Sequence, residues 1–224
     1  MCGRFTLTAD TAALQATFPQ VDFSTVPGVR PRYNIAPGQA VLGVPNVQPW
    51  ALDAFIWGLV PSWAREQNTR YRLINARAES LHQKAAYRAP LRYRRGLILA
   101  DGFYEWRALP GEKRKTPYYI RLRDGKPFAF AALWDVWQAP DGSELRTASI
   151  VTTAPNALIA PIHDRMPVIL PPALWARWLT PQATTYDTVA DLLTPYPTAE
   201  MEAWPVSQAV NNPAFDAAEC IHKV

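Results

Sequence analysis

Short runs of apolar and β-branched residues, each bounded by turn-forming residues, recur along the whole chain and predict strands. The 22 prolines are spread along the sequence and favour short elements over long helices. Because so many short strands have to share one core, we expect a curved, barrel-like and mostly antiparallel β-sheet. The predicted strands are Phe5 to Thr8, Gln39 to Val44, Ala54 to Leu59, Gly96 to Leu99, Pro117 to Arg123, Phe128 to Trp134, Ala148 to Thr153 and Pro167 to Leu170.

Helical periodicity is limited to four segments, which we expect to lie at the periphery of the sheet. The fold class is therefore predicted to be α+β, with the sheet dominant. A chain of 224 residues without an internal repeat or a low-complexity break suits one sizeable core, so we expect a single domain over residues 1–224. The predicted helices are Asp10 to Phe18, Ser80 to Tyr87, Ala173 to Leu179 and Thr188 to Leu193.

Composition places the chain among ordinary globular proteins, with 49% apolar and 19% charged residues. The N-terminus lacks the regions of a secretion signal and no apolar run approaches membrane-spanning length, so we expect a cytoplasmic protein without a membrane partner. We also expect a monomer. Cys2 and Cys220 lie at opposite ends, and no histidine has metal-ligand spacing from another ligand, so we expect neither a metal nor another cofactor.

The net charge of +4 conceals an uneven distribution. Between Pro61 and Lys126 there are 16 Lys or Arg against 6 Asp or Glu, which leaves the rest of the chain acidic. Of the 23 cationic residues 18 are arginine, whose planar fork matches phosphate oxygens in pairs and stacks on bases. The pattern indicates an anionic partner, although a generally arginine-rich proteome would give the same composition.

The second residue offers chemistry that no internal residue has. Removal of Met1 would leave Cys2 with a free α-amine beside its thiol. An aldehyde condenses with such an amine to an imine, and the thiol then closes a five-membered thiazolidine. The α-amine titrates at roughly 8 and a thiol at about 8.5, so both are partly nucleophilic near neutral pH. The alternative is an incidental cysteine at a frayed end.

Two further residues are candidates for moving protons near neutral pH. Glu105 in DGFYEW follows the apolar run GLILA and has aromatic neighbours, which would desolvate its carboxyl and raise its pKa. His163 in IHDRMPVIL lies in a polar cluster between a turn at Pro161 and a predicted strand. The alternatives are an exposed glutamate paired with an arginine and a structural histidine.

Other side chains suit contacts with nucleic acid. Asn75 and Arg77 alternate with apolar residues in LINARAES, so both can face one side of a strand, Asn75 towards a substrate oxygen and Arg77 towards a phosphate. An ordinary solvated strand face would show the same alternation. Most of the nine tryptophans should belong to the core. Flat surfaces on which unpaired bases can stack are Pro37, Trp57, Trp63 and Trp106.

The chain resembles the SOS-response-associated peptidase (SRAP) family of abasic-site-processing proteins in seven motifs and an N-terminal cysteine. In chain order the motifs are MCGRF, RYNIAPGQ, WGLVPSW, LINARAES, DGFYEW, VTTAP and IHDRMPVIL. The resemblance runs from Cys2 to about Val206, whereas RALPGEKRK and residues 180–200 match poorly. It implies the SRAP fold, with Cys2, Asn75, Glu105 and His163 at the positions of the family's catalytic residues.

The resemblance also implies a function in the DNA damage response. The mature protein would bind single-stranded DNA in a basic channel, and Cys2 would form a thiazolidine cross-link with the aldehyde of an abasic site, which protects the lesion. Glu105 and His163 would transfer protons, while Asn75 would hydrogen-bond near the cysteine or the sugar. Met1 would be removed by self-processing or by an aminopeptidase, and a lyase outcome is implied when the thiol is missing. The implied DNA contacts are Arg4, Pro37, Trp63, Arg77, Tyr104, Trp106, Thr152 and Arg165.

Two functions of other classes remain open at this point. A peptidase that acts on other proteins would use Cys2 as an N-terminal nucleophile and its own amine as the base. It would turn over peptides without any DNA. A non-catalytic single-strand-binding module would bind intact and abasic strands equally and would form no adduct.

Overall fold

The structure, a computed structural model, describes residues 2–26, 28–66 and 73–224. Its class is α+β, which confirms the prediction from the sequence pattern. The strands in these residues are β1 (Arg4–Leu7), β2 (Arg32–Ile35), β3 (Ala40–Pro45), β4 (Asp53–Trp57), β5 (Asn75–Arg77), β6 (Arg95–Ala100), β7 (Gly102–Arg107), β8 (Thr116–Leu122), β9 (Phe128–Gln138), β10 (Glu144–Thr153), β11 (Met166–Pro167), β12 (Ile169–Leu170) and β13 (Met201–Pro205).

Five of these strands, β10, β4, β3, β6 and β9, close into a barrel because β9 pairs with both β6 and β10. The barrel pairs antiparallel except where β10 runs parallel to β4. Strands β5 and β11 add to β10, and β12 adds to β9. A second, wholly antiparallel sheet has the order β13-β8-β7-β1-β2. The curved, barrel-like sheet expected from the sequence is thus present.

The helices are short and lie between strands. Helix α1 begins after Asp10, whose side chain accepts a hydrogen bond from the backbone N–H of Ala13 and so caps the first turn. Helix α3 carries Pro172 in its first turn, where a missing N–H donor does no harm. The helices in the described residues are α1 (Thr11–Thr17), α2 (Ala85–Tyr93) and α3 (Pro172–Trp178), with 3-10 turns at Ala78–Ser80, Ala190–Leu192, Thr198–Glu200, Gln208–Asn211 and Ala218–Ile221.

Every predicted strand coincides with an observed one, although Pro167 to Leu170 is divided between β11 and β12 because the chain crosses there from β10 to β9. Strands β2, β5, β7 and β13 were not among the eight predictions, since their short runs carry charged or polar residues. The helix predicted at Ser80 to Tyr87 has the wrong bounds: a 3-10 turn ends at Ser80, and α2 begins at Ala85 and continues to Tyr93. The helix predicted at Thr188 to Leu193 is only the 3-10 turn at Ala190–Leu192.

Buried apolar side chains form one large cluster that runs from Cys2 to Met201 along the chain. Neighbouring residues of β7 face opposite sides of their sheet, so Phe103 joins this cluster while Tyr104 joins a smaller one. The smaller cluster also contains Tyr119 and Cys220. That residues 1–224 form one domain stays a prediction. None of the helices in the described ranges is long and apolar enough to cross a membrane.

The N-terminal strand β1 lies inside the five-stranded sheet, between β2 and β7. Its end is fixed by the buried carboxylate of Asp101, which accepts hydrogen bonds from the hydroxyls of Thr6 and Thr8. The same carboxylate accepts from the backbone N–H groups of Thr8 and Ala9. Four donors of the N-terminal segment thus share one acceptor group, and this holds the first residues of the chain against β7.

We predict that Asp101→Ala lowers the free energy of unfolding by about 2–4 kcal/mol, because buried donors lose a charged acceptor. Urea unfolding measures the difference. Asp124→Ala is the matched control, since Asp124 lies in an exposed turn and pairs only with the exposed Lys126 among the described contacts. Equal stability of the Asp101 variant and the wild type would contradict the anchoring role.

Candidate functional site

Cys2 lies two residues before β1 and its side chain is fully buried. Its carbonyl oxygen accepts a hydrogen bond of 2.8 Å from Nδ2 of Asn75. Its thiol contacts the carbonyl oxygen of Arg4 at 3.8 Å. Asn75 is the first residue of β5, which runs parallel to β10, so the barrel positions the amide that holds the N-terminal segment. An N-terminal cysteine that is held on two sides is not a frayed end.

Glu105 lies in β7 and is only 1% exposed. It follows Tyr104, the β-sheet partner of Arg4, so the pairing of β1 with β7 brings its carboxyl next to the N-terminal segment. Burial, reinforced by the negative charge of Asp164, raises the pKa of Glu105 to about 7. Burial and the charge of Glu105 raise the pKa of the Cys2 thiol well above its usual value. The thiol therefore lies within the electric field of the Glu105 carboxylate.

His163 faces the same carboxyl, with its Nε2 atom 3.8 Å from Oε2 of Glu105. The backbone N–H of Arg165 lies 3.0 Å from Nδ1 of His163, so the ring is held with its Nε2 edge towards Glu105. Burial lowers the pKa of His163, and the carboxylate of Asp164, 2.9 Å from Nδ1, opposes this shift. Burial thus favours the neutral form of the imidazole that lies beside the carboxyl of Glu105.

A cleft of about 720 Å³ adjoins these groups on the side of Asn75. Arg77 is exposed in β5, on the same side of the strand as Asn75. The guanidinium of Arg165 binds both carboxylate oxygens of Glu79, at 2.8 and 2.9 Å, and the carbonyl oxygen of Thr152 at 2.7 Å. The cleft is basic because Arg77, Lys84 and Arg165 outnumber its one carboxylate, Glu79. Its lining is Leu73, Asn75, Arg77, Glu79, Ser80, Lys84, Tyr87 and Arg165.

Of the flat surfaces expected from the sequence, Trp63 is the most exposed, at 67%. Trp106 is half-buried and its indole N–H donates to Oδ1 of Asn211 at 2.8 Å. Pro37 is also half-buried. Trp57, in contrast, is a core residue whose indole N–H donates to the carbonyl oxygen of Ile74. Trp63, Trp106 and Pro37 therefore keep surface on which a base can stack, and Trp57 does not.

Three of the expected DNA contacts are buried or bound to other groups in the free protein, and their contacts with DNA stay a prediction. Tyr104 is fully buried and its hydroxyl donates to the carbonyl oxygen of Tyr33 at 2.7 Å, so its ring offers no face to a base. Thr152 is also fully buried, in β10. The guanidinium of Arg4 donates to Oδ1 of Asn34 at 2.7 Å and to the carbonyl oxygen of Val210 at 2.8 Å. These contacts favour an anchoring role over a phosphate contact.

Sequence reasoning missed Lys115, Glu79 and Asp164 as members of the site. The positive charge of Lys115 lowers the pKa of both Glu105 and His163, and its carbonyl oxygen is held by Gln208 at 3.0 Å. The sequence signal for Lys115 was the run GEKRK in the loop after β7. Strands β7 and β8 form a hairpin, so this loop leads the chain back beside Glu105. Glu79 and Asp164 each lie within four residues of a recognised site residue.

The described residues contain no cluster of three or more His, Cys, Asp or Glu side chains arranged to hold a metal ion. The site brings together a thiol, a carboxyl whose pKa is about 7 and an imidazole. Such a set suits nucleophilic attack coupled to proton transfer.

Fold and site together define an α+β protein with a buried N-terminal cysteine beside a carboxyl, an imidazole and a basic cleft. The chain belongs to the SOS response associated peptidase (SRAP) family, which matches it over residues 1–213. It is 42% identical over 222 residues to the abasic site processing protein YoqW of Bacillus subtilis (strain 168), with 99% of each chain covered. It is 32% identical over 229 residues to the abasic site processing protein YedK of Escherichia coli (strain K12), with 100% of each covered.

Its fold is also similar to that of a crystal structure of a protein from Bacteroides thetaiotaomicron, with a TM-score of 0.88 and 25% identity over 100% of both chains. The family resemblance that the motifs indicated is confirmed.

We predict that Glu105→Gln stabilises the protein at high pH. Because burial raises the pKa of Glu105 to about 7, folding favours the protonated carboxyl, and this contribution is lost as the pH rises through the folded pKa. At pH 8 the variant should gain up to about 3 kcal/mol in the free energy of unfolding, and little at pH 5.

Urea unfolding at both pH values tests this, with the exposed Glu112→Gln as the control for loss of one carboxylate. A gain that is the same at both pH values would show that ionisation of Glu105 is not its cause.

Proposed function

We propose that this protein, after removal of Met1, captures the aldehyde of an abasic site in single-stranded DNA through Cys2. The observation that carries the proposal is the convergence of Cys2, Asn75, Glu105 and His163 beside a basic cleft. The names of the relatives support it, because YoqW and YedK are both called abasic site processing proteins. DNA that contains abasic sites is the partner that follows.

The proposed reaction balances without an oxidant or a reductant. The free α-amine of Cys2 adds to the aldehyde carbon of the opened sugar, and loss of water gives an imine. The thiol then adds across the C=N bond, which forms a C–S bond and an N–H bond and closes the thiazolidine. One water is released overall, and reversal requires it back. Only an N-terminal cysteine brings the amine and the thiol to the same carbon.

Glu105 suits both proton transfers in this sequence. With a pKa of about 7 it is populated in both forms at neutral pH. The protonated carboxyl can donate to the hydroxyl that leaves as water, and the carboxylate can accept the proton of the thiol. A base is needed for the second step because burial keeps the thiol protonated.

His163 and Asn75 suit supporting roles. The Nε2 atom of His163 lies 3.8 Å from Oε2 of Glu105, where the imidazole can exchange a hydrogen bond with a sugar oxygen during ring opening. The amide of Asn75 holds the carbonyl group of Cys2, and so fixes the residue whose amine and thiol react. Arg77 and Arg165 in the cleft suit phosphates, and Trp63, Trp106 and Pro37 suit stacked bases.

Removal of Met1 is a requirement of this proposal, since it frees the α-amine of Cys2. Self-processing would make Cys2 a nucleophile towards its own preceding peptide bond, which fits the peptidase in the family name. Processing by an aminopeptidase would give the same mature chain. Purified protein in which Met1 is retained should form no stable adduct.

We predict that Cys2→Ala abolishes the heat-stable adduct with an abasic strand, with a loss of more than about 100-fold in yield, because the amine alone forms only a reversible imine. β-Elimination from that imine should increase strand cleavage. A denaturing gel resolves adduct, intact strand and cleaved strand in one lane. Cys220→Ala is the matched control, since this second buried cysteine lies in the smaller cluster and should leave the adduct unchanged.

Other outcomes of the same gel decide between functions. A heat-stable adduct in Cys2→Ala would overturn the thiazolidine. Equal binding of intact and abasic strands without any adduct would favour a non-catalytic binding module. Hydrolysis of added peptides in the absence of DNA would favour a peptidase that acts on other proteins.

We predict that affinity for single-stranded DNA falls steeply with salt, because each neutralised phosphate contributes a slope of about 0.7 to the log–log plot. Arg77→Gln should reduce the magnitude of that slope by about 0.7. Arg30→Gln is the control, since Arg30 is exposed and does not line the cleft. Fluorescence anisotropy with an intact oligonucleotide at four salt concentrations gives both slopes. A flat salt response of the wild type would contradict a basic channel.

A further inference from the structure

The guanidinium of Arg165 is already occupied in the free protein. Both of its terminal nitrogens donate to the carboxylate of Glu79, at 2.8 and 2.9 Å, in the paired geometry that arginine also adopts with phosphate. One nitrogen donates in addition to the carbonyl oxygen of Thr152 at 2.7 Å. A DNA phosphate that uses this fork has to take the place of Glu79.

The two partners of Arg165 differ in how firmly they are placed. Thr152 lies in the buried strand β10, so its carbonyl oxygen is a fixed part of the barrel. Glu79 lies in the 3-10 turn that follows β5, and its side chain is 56% exposed. Exchange of Glu79 therefore needs no movement of the core, and the contact to Thr152 keeps the guanidinium in position.

The surroundings of Glu79 also favour exchange. The cleft places it among Arg77, Lys84 and Arg165, and Glu79 is the one carboxylate of its lining. The hydrogen bonds from Arg165, with a smaller contribution from the charge of Arg77, hold the pKa of Glu79 below its usual value. Glu79 is the exposed member of this ion pair, with 56% of its side chain accessible, whereas Arg165 is only 14% exposed. A phosphate that enters the cleft can meet all three cations and can take the place of the carboxylate of Glu79.

We propose that Glu79 is an intramolecular substitute for a DNA phosphate: it holds the fork of Arg165 in the free protein and gives way when the strand enters. This inference rests on the proposed function. The arrangement keeps Arg165 ordered without DNA, and Arg165 in turn donates its backbone N–H to His163. Its consequence is that Glu79 reduces the affinity for DNA, although it lies in the binding cleft.

Glu79→Gln tests the proposal, because the amide keeps an acceptor for Arg165 but removes the negative charge. Affinity for an intact single-stranded oligonucleotide, which cannot be captured covalently, is measured by anisotropy across a range of salt concentrations. We expect roughly 3- to 10-fold tighter binding at low salt and a slope steeper by about 0.7, the value of one further phosphate. Binding that is unchanged or weaker would overturn the proposal.

Glu144→Gln is the matched control for the loss of one carboxylate. Glu144 is exposed at the first residue of β10, eight residues along the same strand from Thr152, so roughly 26 Å from the cleft. It should bind DNA as the wild type does. An equal gain in both variants would show a general charge effect and would also overturn the proposal.

A double-mutant cycle with Arg165→Gln gives a second, independent readout. Without the guanidinium, removal of the charge of Glu79 should change the affinity no more than Glu144→Gln does. A full effect of Glu79→Gln in the Arg165→Gln background would separate Glu79 from Arg165 and contradict the exchange. The adduct assay with an abasic strand runs in parallel. If the wild type forms no adduct, the proposed function is rejected. If the adduct forms but the cycle shows no coupling between Glu79 and Arg165, only the role of Glu79 is rejected.

Discussion

The candidate site depends on one constraint: the residue at the start of the chain, which is normally the most mobile part, has to be held in a fixed place inside the protein. Strand β1 meets this constraint because it lies between β2 and β7 instead of at an edge of the sheet. Asp101 binds the segment after β1, and Asn75 binds the carbonyl group of Cys2 before it. Arg4 belongs to the same arrangement, since its guanidinium ties β1 to Asn34 and to the C-terminal part of the chain.

A second feature of the site is that burial shifts two pKa values in opposite directions. The pKa of the Glu105 carboxyl is raised to about 7 and that of the His163 imidazole is lowered, so burial favours the neutral form of both groups. Lys115 limits the shift of Glu105 while it adds to that of His163. The buried carboxyl is unfavourable for stability when ionised, which is a common property of residues that serve chemistry and not folding.

The charge pattern of the sequence overstated the number of accessible cations in the basic segment. Within the basic segment from Pro61 to Lys126, Arg94 pairs with Asp135 and Arg121 pairs with Glu202. Arg95 is fully buried, where it donates to backbone carbonyl groups such as those of Trp178 and Leu91. These arginines stabilise the fold, and the cations that stay accessible are those at exposed positions such as Arg77. A count along the chain cannot separate the two groups, because pairing joins residues that are far apart in sequence.

The sequence by itself determined the fold class, most of the strands and the chemistry of the site, because apolar periodicity and the character of a 1,2-aminothiol are local properties. It placed Cys2, Glu105 and His163 in three separate segments, and nothing local says that they meet. Only the tertiary structure decided that β1 pairs with β7 and that Tyr104 and Thr152 are buried. It also decided that the guanidinium of Arg165 binds the carboxylate of Glu79. These facts depend on strand order and register, which are set by long-range packing of the whole core.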